Sequence, residues 1–177
     1  DNTIFCIDGS EITKTNSKVL EDMGTVRDGS TGETIVNGYN ILEIAALTNK
    51  HDMPISVYSK IYSNVCKDFK SENTETLKSL EFIRAHFGNV GIKAIDWGSA
   101  NNQLYEYFTN NNEKFVIRPK RNRDVIYNGK VINIFKLANK YKGKYVTTVK
   151  NKAGKAKKCK FSHIPIALPA MPDKKLT

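Results

Sequence analysis

The sequence is poor in cysteine and has no long apolar run. The three cysteines among its 177 residues, Cys6, Cys66 and Cys159, are odd in number and far apart. A disulfide framework is therefore not expected, and this cysteine usage favours a reducing, cytoplasmic compartment. No apolar run approaches the roughly 18 residues needed to span a bilayer, so we expect no membrane partner.

Several common site motifs are also missing. The cysteines and the histidines His51, His86 and His163 are not at zinc-site spacing, so a Cys/His metal centre is not expected. The sequence has no GxSxG nucleophile motif and no phosphate-binding loop with its lysine. These absences argue against the commonest hydrolase and nucleoside-triphosphatase signatures.

Charge is distributed unevenly along the chain. The net charge is +10, but residues 1–112 hold 10 Lys/Arg against 15 Asp/Glu, whereas residues 113–160 hold 16 against 2. Because the basic segment has a strand-rich pattern, it favours a nucleic-acid partner over a merely solvated basic face. Contacts between basic side chains and the phosphate backbone give affinity but discriminate little between DNA sequences. The residues expected to make them are Arg118, Lys120, Arg121, Arg123, Lys150, Lys152, Lys157 and Lys158.

The residue pattern predicts an α/β fold. The predicted strands are 2–8, 19–26, 35–47, 55–61, 92–96 and 114–118, and the predicted helices are 71–87 and 101–110. Ser71 or Asn73 can cap the first helix, which also has acids in its first turn. Strand–helix–strand units favour parallel pairing through right-handed crossovers, so we expect a mixed sheet flanked by helices.

The character of the sequence changes after Pro119. Short alternating stretches follow, separated by Asn-Gly and Xaa-Gly turns, and we interpret residues 120–168 as a β-rich, basic insertion in the C-terminal third. Residues 1–119 then form the core, and 169–177 form a poorly ordered tail. The sequence starts at Asp1, without Met, directly before a predicted core strand, and we therefore expect a piece of a longer protein.

Two aspartates, Asp8 and Asp96, each end a predicted core strand and have a glycine close behind. If the two strands are parallel neighbours, both carboxylates emerge at one edge of the sheet and can share a divalent metal such as Mg²⁺. The alternative is a structural role in which each Asp only caps a turn or a helix. Glu11 and Asp124 are the nearest other acids. We expect Glu11 to face solvent and Asp124 to form a surface ion pair.

The same residues resemble the bacterial DDE transposases of the group named after insertion sequence four. Ile7–Lys14 is similar to the strand of its first aspartate. Ile95–Gly98, followed by Asn101–Leu104, is similar to the strand of its second aspartate and the helix after it. The other strands that resemble this group are Asn37–Ile44, Pro54–Ser59 and Phe115–Lys120. The likeness covers nearly the whole chain, with the elements in the same order.

The resemblance implies a ribonuclease H-like fold in which Asp8 and Asp96 are catalytic metal ligands that use Mg²⁺ or Mn²⁺ to cut and join DNA. It also implies transposon-end double-stranded DNA as partner, a homodimer in a synaptic complex and a bacterial cytoplasm. In that group a Glu on a later helix, within a Tyr/Arg/Glu/Lys motif, completes the site. Nothing here matches that motif, so we expect a C-terminally truncated catalytic domain that is inactive alone.

Trp97 and Ser99 are a second departure, because they stand where the group usually has Arg and Tyr. Two further functions stay open at this point. One is a non-catalytic DNA-binding module from a degenerate transposase, in which only the basic segment works. The other is a stand-alone nuclease of the same fold, against which the missing third acid argues.

Overall fold

The computed structural model describes residues 2–27, 35–48, 51–96, 101–141, 143–150 and 154–177, with the backbone alone at 51 and 52. The chain divides into two units, unit 1 (Asp1–Arg118) and unit 2 (Pro119–Thr177). The strands of unit 1 are β1 (Ile4–Thr13), β2 (Gly24–Arg27), β3 (Ile35–Thr48), β4 (His51–Tyr62), β5 (Ile92–Ile95) and β6 (Lys114–Ile117). Its helices are α1 (Glu72–Phe87) and α2 (Asn102–Asn110).

Unit 1 is built on a six-stranded mixed sheet. β3 pairs antiparallel with β1 on one side and with β2 and β4 on the other. β5 and β6 come after α1 and α2, and they lie parallel to β1 and to each other. The path across the sheet is β3-β1-β5-β6. The predicted α/β chain with a mixed sheet is therefore confirmed, with more residues in strands than in helices.

One face of this sheet carries the core of unit 1. Ile7 of β1 lies opposite Ile44 of β3 on one side and Ile95 of β5 on the other. Residues directly opposite each other share a face, so these side chains point the same way, and α1 and α2 both pack on them. The buried core residues are Phe5, Ile7, Leu42, Ile44, Ala46, Leu80, Ile83, Ile95, Leu104 and Phe108.

A buried ion pair joins β5 to the residue before β6. Lys93 of β5 is 1% exposed and its ammonium contacts the carboxylate of Glu113, which is 7% exposed. Lys93 also donates to the Val90 carbonyl at 2.9 Å and lies 5.7 Å from the centre of the Phe5 ring. Arg84 of α1 reaches Glu113 at 4.0 Å. Because each buried ion costs several kcal/mol to desolvate, this pair fixes positions more than it adds net stability.

Removing one partner of this pair should do more harm than replacing both. Glu113→Ala leaves the Lys93 ammonium buried without a counter-charge, and the free energy of unfolding should fall by about 3–5 kcal/mol. Adding Lys93→Met should recover most of this loss, because two apolar side chains need no charge partner. Urea unfolding followed by circular dichroism measures both variants. A double variant no more stable than Glu113→Ala would contradict the role of the pair.

A second charge cluster fastens α1 to β4. The helix begins at Ser71, whose Oγ accepts a hydrogen bond from the Thr74 amide at 3.2 Å, so the predicted cap is confirmed. Glu75, in the first turn, is 2% exposed and accepts from Lys60 Nζ at 2.6 Å and from Lys78 Nζ at 2.7 Å. Burial raises the pKa of Glu75, but the bonds from Lys60 and Lys78 outweigh it, and the pKa lies below its ordinary value.

The lowered pKa of Glu75 predicts a defined pH dependence. A carboxyl whose pKa falls on folding stabilises the protein above its unfolded pKa, close to 4.5, and this stability is lost as the pH falls through the folded value. Glu75→Gln should therefore be less stable than the unchanged protein near neutral pH, and its stability should fall less steeply in acid. Thermal melts between about pH 7 and pH 3 test this. Parallel stability profiles for the two proteins would refute it.

Unit 2 consists of two sheets and a helix. Its elements are β7 (Asp124–Tyr127), β8 (Lys130–Asn133), α3 (Ile134–Lys140), β9 (Tyr145–Lys150), β10 (Ala156–Phe161), β11 (Ile166–Leu168) and β12 (Met171–Leu176). The first sheet has the order β12-β11-β7-β8, and the second is a two-stranded ribbon of β9 and β10. Within the described ranges, no helix is long and apolar enough to cross a membrane.

The helix α3 interrupts the segment that the sequence pattern predicts to be β-rich. Asn133 caps the helix, and its side-chain oxygen accepts from the amides of Phe135 and Lys136 at 3.1 and 3.2 Å. This cap satisfies donors of the first helical turn, and it outweighs the strand preference of the β-branched residues around it. The predicted β-rich segment therefore contains a helix at Ile134–Lys140 that the sequence pattern does not indicate.

The last residues of the chain form a strand, although their composition suggests a poorly ordered tail. Met171 pairs back with Leu168, and Leu176 pairs with Ile166, so β12 adds an edge to the first sheet of unit 2. The turn between β11 and β12 contains Pro169, a residue whose fixed φ suits a tight turn. Proline in this stretch therefore marks a hairpin and not disorder.

Candidate functional site

Asp8 lies within β1 and not at its end. The sequence predicts a strand that stops at Asp8, but β1 continues to Thr13 because β3 supplies a partner for every residue from Gly9 onward. The parallel pairing with β5, in contrast, ends where Ile7 lies opposite Ile95. At Asp8, β1 is therefore still paired with β3 but is no longer paired with β5.

Asp96 is the first residue after β5. Because Ile7 and Ile95 are the last registered pair, Asp8 and Asp96 are each the next residue along the chain after that pair. Asp8 follows the buried Ile7 and so lies on the face of the sheet away from α1 and α2. Both aspartates are exposed. The pairing thus puts each of the two predicted site residues directly after one opposed pair, Ile7 and Ile95.

The register also identifies an acid that sequence reasoning does not find. Glu43 of β3 lies directly opposite Asp8, so two exposed carboxylates share one face of an antiparallel pair, where like charges repel. Glu11 lies in β1 and not in an exit turn, and by strand alternation it falls on the other face. The sequence signal for Glu43 is that it is the single acidic residue within the apolar run of β3. Which residue it faces is known only from the strand pairing.

Arg118 forms an ion pair with Asp96. It directly follows β6, its amide donates to the Ile95 carbonyl at 3.2 Å, and its Nη1 lies 3.6 Å from Asp96 Oδ1. Sequence reasoning assigns Arg118 to the DNA-contacting surface, whereas its contact in the structure is with a candidate metal ligand. Since both side chains are more than half exposed, the pair contributes at most about 1 kcal/mol.

No three His, Cys, Asp or Glu side chains in the described part of the chain are close enough together to hold a metal ion. Asp8 and Asp96 nevertheless fit a hard cation, because Mg²⁺ is commonly bound through one or two carboxylates together with water and substrate phosphates. The arrangement can therefore offer two protein ligands, with the remaining ligand positions left to water or a substrate. Trp97 and Ser99 lie outside the described residues.

Arg118 should compete with a divalent cation for Asp96. Arg118→Gln removes the competing charge, so the affinity for Mn²⁺ should rise about two- to fivefold, the range of an exposed ion pair. Paramagnetic broadening of nuclear magnetic resonance signals near Asp8 and Asp96 measures the titration. Arg121→Gln, which removes the same charge in unit 2, is the control. An affinity that is unchanged by Arg118→Gln would exclude competition.

The turn that leads into β7 carries three of the predicted basic residues. Arg121 lies over the Phe135 ring, with Cζ 5.5 Å from its centre. The Asn133 amide donates to the carbonyl of Arg121 at 3.0 Å and to that of Arg123 at 3.4 Å, which ties this turn to the cap of α3. Arg121 and Lys120 are exposed, while Arg123 is half-buried. This turn is therefore an ordered basic surface and not a free tail.

The predicted lysines of the ribbon do not form one surface. Lys150 ends β9, while Lys157 and Lys158 are adjacent in β10. Successive residues of a strand point to opposite faces, so Lys157 lies on one side of the ribbon and Lys158 on the other. Lys152 lies outside the described residues.

Aromatic side chains cluster at the base of the ribbon, a feature that sequence reasoning does not find. The Tyr145 and Phe161 rings are 5.5 Å apart and His163 contacts both at 5.7 and 5.4 Å. Close by in sequence, Tyr127 donates a hydrogen bond to Tyr141 at 3.0 Å, and this bond raises the pKa of Tyr127. Tyr145 and Phe161 are opposite each other in the ladder, so strand pairing would have been needed to predict the cluster.

Comparison of the sequence with models of known protein families and with curated proteins finds no match. The resemblance to DDE transposases therefore stays a prediction.

Proposed function

We propose that the chain is the catalytic core of a DDE transposase, with a ribonuclease H-like fold, whose complete form cuts and joins double-stranded DNA at transposon ends. The observation that carries this proposal is the parallel pairing of β1 with β5, whose last pair, Ile7 and Ile95, is followed directly by Asp8 and Asp96. Two carboxylates at one place can jointly hold a divalent cation, whereas an aspartate that only caps a turn needs no such partner.

The proposed chemistry depends on Mg²⁺ or Mn²⁺, which, when bound, supplies Lewis-acid activation of the attacking oxygen and stabilises the leaving oxygen. Asp8 and Asp96 would hold the cation, and Arg118 would be displaced from Asp96 as it binds. The resemblance implies that the third protein ligand is a Glu on a later helix. Glu43, opposite Asp8, adds negative charge that favours a cation at this place.

The arrangement of the sheet gives further support to the fold that we propose. The antiparallel strands β1, β3 and β4, with the short β2 between β1 and β3 in the chain, precede two strands that are parallel to β1, in the order that the resemblance implies. The face that carries Asp8 is open, since Val116 and Ile61 on it are 62% and 57% exposed. A later helix with the third acid could therefore approach this face.

The two aspartates should be essential for cleavage and dispensable for binding. In a protein that contains this chain with its downstream helix, Asp8→Asn or Asp96→Asn should reduce Mg²⁺-dependent cleavage of donor DNA by on the order of 10²-fold or more. DNA binding should be retained in both. Glu11→Gln is the matched control, because Glu11 lies on the same strand but on the opposite face. If both variants still cleave donor DNA, the assignment is wrong.

A non-catalytic DNA-binding module is the second candidate function. It is favoured by the finding that no three-ligand metal group exists among the described residues. On this alternative, basic residues such as Arg121 and Lys158 bind DNA in a salt-sensitive manner, and no metal-dependent cleavage occurs even when the downstream segment is present. The same cleavage assay, run with the unchanged protein, separates the two candidates.

A further inference from the structure

We propose that the β9–β10 ribbon docks on the backbone of double-stranded nucleic acid through one of its two faces only. This inference rests on the DNA-binding role proposed above and assigns it to a defined surface. Residues that are paired across the ribbon share a face, so the register sorts its side chains into two sets. One set contains Lys150, Lys158 and Lys160 and is called the lysine face. Lys157 belongs to the other set.

Both faces of the ribbon are open. Every residue of β9 is exposed, and in β10 only Cys159 is partly buried. An isolated two-stranded hairpin is marginally stable in water, because it has no hydrophobic face to bury. A protein that keeps such a ribbon exposed gains little stability from it, which makes an interaction role the better explanation.

The lysine face lacks negative charge in its surroundings along the chain. The sequence contains no acidic residue between Asp124 and Asp173. Among the described residues, Lys150, Lys158 and Lys160 take part in no ion pair. Like charges on one narrow face repel each other, and a polyanion relieves that repulsion while it releases its own counterions.

The spacing of the three lysines suits a row of phosphates. Lys158 and Lys160 are two residues apart on one strand, which separates them by about 6.6 Å. Lys150 lies diagonally across the ladder from Lys158, at about 7–8 Å. Phosphates of one DNA strand advance about 3.4 Å each along the helix axis. Flexible lysine side chains can therefore reach neighbouring phosphates of a single backbone.

A glycine supports the lysine face at the base of the ribbon. Gly143 has φ +60°, and a Cβ at this position would lie 2.7 Å from the Lys160 Cβ. The chain can therefore pass directly beneath the Lys160 stem only without a side chain there. Ser162 closes the base of the ribbon, since its Oγ accepts from the Lys144 amide at 3.0 Å and donates to the Tyr141 carbonyl at 2.8 Å.

The chemistry of the lysine face favours a duplex over other polyanions. Proteins that bind single strands stack unpaired bases on aromatic rings, but Tyr145 and Phe161 lie on the opposite face. Segments that bind anionic membranes bury bulky apolar side chains. Between its lysines, the lysine face has only Val146, Thr148 and Ala156. Charge without stacking or insertion is the chemistry of duplex backbone contact.

Adjacent lysines provide a matched test. Binding of the 177-residue chain to a short labelled duplex is measured by fluorescence anisotropy over about 50–200 mM KCl. The slope of log K against log [salt] is negative, and Lys158→Ala should lower its magnitude by about 0.9. The triple variant Lys150→Ala/Lys158→Ala/Lys160→Ala should lower its magnitude by about 2–3. Lys157, which the sequence pattern alone assigns to the phosphate contacts, lies on the other face. On the present proposal it makes no such contact, so Lys157→Ala removes the same charge and should leave the slope unchanged. Far-UV circular dichroism checks that all variants fold.

Several results would overturn the inference. If Lys157→Ala and Lys158→Ala change the salt slope equally, affinity depends on net charge and not on the lysine face. A larger effect of Lys158→Ala on a single strand, or on phosphatidylserine vesicles, would identify a different partner. If the triple variant binds the duplex as tightly as the unchanged chain, the lysine face is not the binding surface, while the proposed DNA-binding role is not affected. An unchanged chain that binds no duplex at any salt concentration would refute the proposed DNA-binding role as well.

Discussion

The candidate site of unit 1 depends on the buried contact between Lys93 and Glu113. Lys93 occupies the second position of β5, and Glu113 is the residue before β6, so the contact fixes both strands at their beginnings. A buried charge that leaves its partner is strongly penalised, so neither strand can slide along the other. The residues that follow the two strands, Asp96 and Arg118, are held at matching positions as a result.

The charged groups of unit 1 form a row across four strands. Glu43, Asp8, Asp96 and Arg118 belong in turn to β3, β1 and the ends of β5 and β6. The β1–β3 register sets Glu43 opposite Asp8, and the bond from the Arg118 amide to the Ile95 carbonyl sets Arg118 beside Asp96. The opposite face of the same sheet is occupied by the hydrophobic core.

Local signals in the sequence predict a good part of this structure. The cap at Ser71 and the helical period after it depend on neighbouring residues only, and both are correct. Non-local features are different. The length of β1 and the position of Glu43 opposite Asp8 both follow from strand pairing, which the sequence does not specify by itself. The α3 helix is an intermediate case, because the Asn133 cap is a local signal that the surrounding β-branched residues obscure.

The ribbon of unit 2 has a thermodynamic consequence that its contacts make clear. It is fastened at its base through Ser162, while both of its faces remain in water, so opening it locally requires much less free energy than opening the sheet of unit 1. A partner that binds only the paired ribbon has an apparent affinity that is lowered according to the fraction of molecules in which the ribbon is open. Its binding in turn slows amide hydrogen exchange in β9 and β10. The fraction of ribbon that is bound by the partner and the fraction that is paired therefore depend on the same opening equilibrium.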